Sequence, residues 1–442
     1  EMSASLVGSE MCIRDSIWSV LIMPTAFKPA DILIPKNTDM KKWSVIACDQ
    51  YTSEPEYWNK LYELIGDSKS ALNLVLPEVY LESPDIDKRI EEIHKTMNEY
   101  LESDVFEELK DSMIYVERTQ SNGKIRRGVI GMIDLEEYDY SKNSQSEIRA
   151  TEATVIERIP PRIRVREGAS LELPHIMILI DDENKSIVEN LSYLKKNMRL
   201  IYDFDLYGGS GHINGYLMNG KMINNFQNGL ENLGNKEKFK EKYGSGNVLL
   251  YAMGDGNHSL ATAKTYYENL KKSHPEIDFS NHPSRYALCE IVNLHSSALE
   301  FEAIHRLVYN TDVSNLISSM NKALGLSNKE KSDQCFSYFN GISEHTVYIH
   351  KKTSNLTVGS LQNFLDSYLK SNNGKLDYIH GKDTIKSLTS KKKDSIGFIL
   401  PDMKKSDLFP TVIKDGSLPR KTFSMGRAED KRFYIECRKI IF

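Results

Sequence analysis

The chain has 442 residues, of which 40% are hydrophobic, 27% charged and 9% aromatic. That balance excludes a disordered chain, a collagen-like fibre and a disulfide-stapled miniprotein, and the length predicts two or three structural units. With 57 basic and 62 acidic residues the formal charge is −5, which argues against a dedicated nucleic-acid binder.

Five cysteines, at 12, 48, 289, 335 and 437, form no CxxC and no close pair. That is the pattern of a reducing cytosol rather than a secreted scaffold. No apolar run approaches the roughly 18 residues of a membrane helix. The expectation is a cytoplasmic protein with a small-molecule substrate and no nucleic-acid or membrane partner.

Ser3 to Ser16 (SASLVGSEMCIRDS) resembles a translated sequencing-adapter read. The apolar run Ile17 to Ile22 is short for a signal peptide and has acidic residues ahead of it. Residues 1–22 are expected to be a non-native leader, with Met23 as the natural start.

Ser53 followed by Glu56 reads as a capping box. Ser83-Pro84 opens a second helix with Ile86, Ile90, Ile93 and Met97 at helical spacing. Residues 113–119 and 124–135 read as strands around Asn122-Gly123, a strong hairpin signal. Residues 149–168 hold Arg149, Arg158, Arg162, Arg164 and Arg166 around Pro160-Pro161. They are too Pro-rich for one helix and too charged for a buried strand.

Residues 174–180 (PHIMILI) read as a buried strand, and 203–211 as a glycine-rich joint, more a plain turn than a phosphate cradle. Asn219-Gly220 marks another turn, and charged helices fill about 225–243 up to Gly244-Ser245-Gly246. Residues 247–253 (NVLLYAM) are the clearest strand, and 259–272 a helix with Leu260, Ala263, Tyr267 and Leu270 on one stripe. Past Tyr309 the elements become shorter and rich in Lys and Ser. The fold class is therefore α/β, or α+β, with mixed sheets. A main domain over 23–309 precedes a C-terminal subdomain over 310–442, whose last segment packs back on the main domain.

The strongest chemical signal is Gly254-Asp255-Gly256-Asn257-His258-Ser259 between that strand and that helix. Two glycines permit a tight turn, and the helix start offers unpaired N–H groups to an anion. Asp255, at the carboxyl end of the strand, can take a proton or hold Mg²⁺, while His258 can donate to a phosphate oxygen. The plainer reading is an ordinary turn in which Asp and Ser cap the helix. No GxxxxGK[ST], GxSxG or HxxxH occurs, so a Walker loop, a nucleophile elbow and a structural zinc site lack support.

Arg158 or Arg162 could be aimed at an anion by the rigid prolines, although mixed charge runs are usually solvated. Glu152 is a second carboxylate suited to a general base. Arg420, Lys421 and Arg427 form a basic tail that either closes over an anion or protects a sheet edge. Cys48-Asp49-Gln50-Tyr51 could line a pocket, with Cys48 itself read as inert.

The strand ending in Asp-Gly-x-His resembles the Asp-Gly-His-His-Arg motif of the domain-of-unknown-function 1015 family of bacterial and archaeal proteins. Further marks are the opening FKPADILIPK, the ATEATVIERIPPR stretch and the closing LPRKTFSMGRAEDKRFYIECRK. The short loop also resembles that of free serine kinases of ParB/sulfiredoxin-like fold, which implies a ParB/sulfiredoxin-like element around it. By that resemblance Asp255 is the catalytic carboxylate and His258 contacts the phosphate being transferred. Asn257 and Ser259 depart from the motif, and losing its Arg removes a bidentate phosphate clamp.

The implied function is phosphoryl transfer from a nucleotide or pyrophosphate, with Mg²⁺, to a small hydroxylated metabolite such as serine. Gly254, Gly256, Asn257, Ser259, Arg158, Arg162, Arg420 and Lys421 would bind the donor. The alternative is a non-catalytic nucleotide-binding switch.

Overall fold

The structure, a computed structural model, describes residues 25–52, 54–154, 159–244 and 247–442. The leader 1–22, Ser53 of the capping box, Arg158 and Ser245-Gly246 lie outside the described residues.

The Asn122-Gly123 turn joins Ile114–Thr119 to Ile125–Asp134 in an antiparallel hairpin. Around it a ten-stranded sheet grows in both directions. On one side Ile125–Asp134 pairs with Tyr286–Asn293, which runs parallel to Met177–Ile180; that strand pairs antiparallel with Tyr251–Asp255. On the other side the hairpin Arg199–Asp205 and His212–Leu217 forms the edge. Its turn holds the glycine-rich joint. The sheet is mixed, and its side chains alternate between two buried faces. Ile114 and Val116 enter one core with Trp43, Trp58 and Ile93; Met113 and Tyr115 enter the other with Ile178, Met253 and Leu260.

A seven-stranded sheet takes its first strand at Phe301–Tyr309, so the change of sheet precedes the shift expected near 310. Met177, Leu179 and Val292 of the first sheet meet Phe301, Phe423 and Met425 of the second in one apolar cluster. The closing segment joins the second sheet and then two small two-stranded sheets. Phe423–Met425 pairs with Phe301–Ala303, Phe433–Tyr434 with Val45–Ile46, and Arg438–Lys439 with Leu171–Glu172. No helix of the described residues is long and apolar enough to cross a membrane.

Three local expectations change. Pro160 and Pro161 do not break the chain, because they stand at the start of the described helix Ile159–Arg166, where a missing N–H costs least. Asn219 is the N-cap of helix Gly220–Leu233 rather than a turn residue, accepting from the Met222 N–H at 3.0 Å. The key strand spans Tyr251–Asp255 and the key helix Asn257–Ser273, so Gly256 alone makes the turn.

Candidate active site

A cavity of about 690 Å³ lies where the two sheets and the closing segment meet. Its floor is the strand-to-helix turn. Gly256 has φ +80°, and a Cβ there would stand 3.1 Å from the Ile176 Cα, so the turn requires glycine. The 17-residue helix that follows has no side-chain cap. The N-cap is Gly256, and the helix start borders a cavity that Asn257, His258 and Ser259 line. Asp255 Oδ1 accepts from the Gly256 N–H at 3.1 Å, and Oδ2 lies 3.3 Å from Lys431 Nζ. Asn257 Oδ1 is buried and has no hydrogen-bond partner among the described residues. A buried acceptor of this kind asks for a donor from a ligand.

Glu152 stands in the opposite wall. Thr151 and Ala153, on either side of it, bond to Leu418, and the Thr422 N–H donates to Glu152 Oε1 at 3.2 Å. Burial pushes this carboxyl above the usual range, against the opposing pull of the Lys421 and Thr422 N–H groups and of the Lys421 and Arg306 charges. Buried Arg306 donates to the carbonyls of Lys421 at 2.8 Å and Arg420 at 3.3 Å, which fixes this basic turn. Lys421 sits at φ +58°, an uncommon backbone for a non-glycine residue. Arg420 Nε donates to the Tyr378 hydroxyl at 2.9 Å.

The cavity thus gathers Gly254, Asp255, Gly256, Asn257, His258, Ser259, Glu152, Arg162, Arg420 and Lys421. Of the described arginines between 149 and 166, only Arg162 lines it, because helix Ile159–Arg166 lies along helix Asn257–Ser273. Arg162 pairs there with Glu78. The others do not serve the site. Arg149 donates to the carbonyls of Ser146 and Asn247, Arg164 pairs with Asp87 at the surface, and Arg166 pairs with Glu172. Arg149 ties loop carbonyls together, and Arg164 and Arg166 tie their helix to its neighbours.

Two contributors are not legible in the sequence. His175 Nε2 lies 3.4 Å from Asp49 Oδ2, and its Nδ1 is 3.2 Å from the Tyr434 hydroxyl. Burial disfavours an imidazolium here, but Asp49 outweighs it and raises the His175 pKa. Burial likewise opposes the Asp49 charge, and His175 overcomes it, holding that carboxyl well below its usual range. The second is Lys431, which reaches Asp255 from the closing segment. His175 directly precedes the strand beside that of Asp255, the only signal it gives. Burial pushes the Cys48 thiol up to about 11, so it is no thiolate nucleophile at neutral pH.

The Asp255 carboxylate, expected to hold Mg²⁺, faces the Lys431 ammonium and belongs to no group of three protein ligands among the described residues; one carboxylate beside a phosphate still suits that ion. The one such group, Asp181, Glu183 and His295, lies elsewhere and is occupied by Lys242. Side chains and the helix start offer positive charge to an anion here.

Fold and site together define a mixed α/β protein with a polar cavity between two sheets. The chain belongs to the family described as "Protein of unknown function (DUF1015)", whose model matches residues 28–368. The match stops short of the closing segment that supplies Arg420, Lys421 and Lys431. No curated protein matches the chain.

Among solved structures it is similar to a conserved hypothetical protein from Pyrococcus furiosus, at 13% identity and a TM-score of 0.35 over 70% of this chain and 94% of that one. It is also similar to free serine kinase in complex with AMP, at 12% identity and a TM-score of 0.36 over 70% and 92% of the two chains. A third is SbnI with C-terminal truncation from Staphylococcus aureus, at 9% identity and a TM-score of 0.36 over 67% and 82%.

Proposed function

We propose that this cavity is the active site of a phosphotransferase that passes a phosphoryl group from a nucleotide or pyrophosphate to the hydroxyl of a small metabolite. The observation that carries this reading is one juxtaposition. The start of a 17-residue helix and Lys431, paired with Asp255, share a cavity with the desolvated Glu152 carboxyl and the basic turn of Arg420 and Lys421, which stand together in the opposite wall. The ParB/sulfiredoxin-like element expected around the loop belongs to the same reading.

In this mechanism the donor's terminal phosphate sits on the N–H groups of Asn257 and His258, with Lys431 held alongside by Asp255. The acceptor oxygen attacks phosphorus, its proton passes to Glu152, and the bond from phosphorus to the bridging oxygen breaks. The leaving phosphate departs with that electron pair, its charge balanced by Arg420 and Lys421. Catalysis of this kind is mostly positioning and electrostatic stabilisation. A base with a raised pKa suits the proton step.

The second reading, a binding switch without turnover, draws on Ser259, which offers a hydroxyl where the motif has a guanidinium. Phosphorus NMR of the full chain with ATP or pyrophosphate and a panel of small alcohols separates the two. The proposal expects a phosphate ester to accumulate, with at least a hundredfold loss in Glu152→Gln and donor binding retained. Donor binding with no ester from any alcohol establishes the switch instead.

A further inference from the structure

We infer that the acceptor carries an apolar group, seated in a recess that abuts the cavity; this rests on the phosphoryl-transfer reading above. The recess measures about 160 Å³ and shares Cys48, Glu78, Arg162, His175 and Ser259 with the main cavity. Beyond that common wall its lining turns aliphatic, with Val75, Leu76, Leu81, Met97, Val165 and Leu173. The two spaces lie on either side of the shared residues, the polar cavity on one side and the oily recess on the other, with the Arg162–Glu78 pair between them.

The volume admits a few carbons and excludes a peptide segment. The lining also argues against a nucleotide base, whose edge needs polar partners. The Tyr434 hydroxyl is already engaged with Cys48 and His175, and Arg166 with Glu172. Free serine is a poor match as well, since it would leave aliphatic surface wet or push a charged group against it. The substrate class is thus an alcohol with a short branched or cyclic hydrocarbon end, and the product its phosphate ester. Ser259 lines both spaces, and its small side chain leaves room beside them that the motif's Arg would fill.

The test is calorimetric titration of the full chain with inorganic phosphate, methyl phosphate and 3-methylbutyl phosphate. Each buried methylene is worth about fourfold in affinity. The branched ester should therefore bind at least tenfold more tightly than the methyl ester. Val165→Phe and Leu81→Phe fill the recess from two different elements, both at half-buried positions. Each should bring that ratio close to one while methyl phosphate binds as in the parent. Equal binding of the two esters to the parent, or a preference that survives both fillings, overturns the recess and leaves the phosphate site standing. Preference for AMP over ribose 5-phosphate that the same fillings abolish assigns the recess to the donor's base and also overturns it. Failure of all three phosphates to bind removes the phosphate reading, and the recess assignment with it.

Discussion

Glu152 and Asp255 are carboxylates of one cavity in unlike surroundings. Asp255 faces Lys431, whereas Glu152 is desolvated and its pKa raised. Since the base must be deprotonated, activity should fall on the acid side at a pH above the ordinary glutamate range. The pH–rate profile of the parent reads this directly, and an acid limb at or below pH 4.5 would remove Glu152 from the proton step. Asp181 gives a stability counterpart. Burial alone would raise its pKa, but hydrogen bonds from His295, Lys242 and Tyr243 hold it down from 3.8 to about 2. A folded-state pKa below the unfolded one stabilises the fold above the unfolded value, and that gain is lost as pH falls through the folded value. Asp181→Asn should thus cost about 2 kcal/mol at pH 7, with the difference shrinking between pH 4 and pH 2. Urea denaturation at several pH values measures it; a pH-independent difference would refute the linkage.

At the scale of elements, the turn between strand Tyr251–Asp255 and helix Asn257–Ser273 rests on a single residue. Gly256→Ala would put a Cβ 3.1 Å from backbone at φ +80°. The left-handed backbone alone costs roughly 1–2 kcal/mol for an L-residue, and the contact adds to it. The variant should lose at least that much stability and bind inorganic phosphate more weakly, because the helix start shifts with the turn. Unchanged denaturation and unchanged phosphate titration would show that the turn tolerates a side chain.

For the whole molecule, the closing segment acts as a fastening rather than a tail. Buried Arg432 bonds Glu290 at 3.2 Å and the Pro174 carbonyl at 2.6 Å; buried Arg438 bonds Glu172 at 2.8 Å. Removing one partner of such a pair strands the other charge in the core, which costs about 3–5 kcal/mol. Arg432→Ala should show that loss in equilibrium unfolding, and a chain ending at residue 419 should not unfold cooperatively. A truncated chain that melts like the parent would refute the fastening role. The same segment carries Arg420, Lys421 and Lys431, so its loss should abolish phosphate binding.

Local pattern alone determined much of the main body: the Asn122-Gly123 hairpin, the helix bearing Ile86 to Met97, and the strand–Gly-Asp-Gly–helix unit. Each is written in spacing of two or 3.6 residues, or in a turn residue whose backbone freedom is unique. The candidate site was legible only as far as that unit reaches, in Gly254 to Ser259, with Glu152 and the basic tail marked by residue type alone. Tertiary structure decided the rest. It chose Arg162 over Arg149, Arg164 and Arg166, which carry the same charge and differ only in the carboxylates and carbonyls the fold sets beside them. It brought His175 to Asp49 and Lys431 to Asp255, pairs separated by 126 and 176 residues of chain. Ionic contacts between remote segments have no periodicity to announce them, because they depend on where the sheets place their ends.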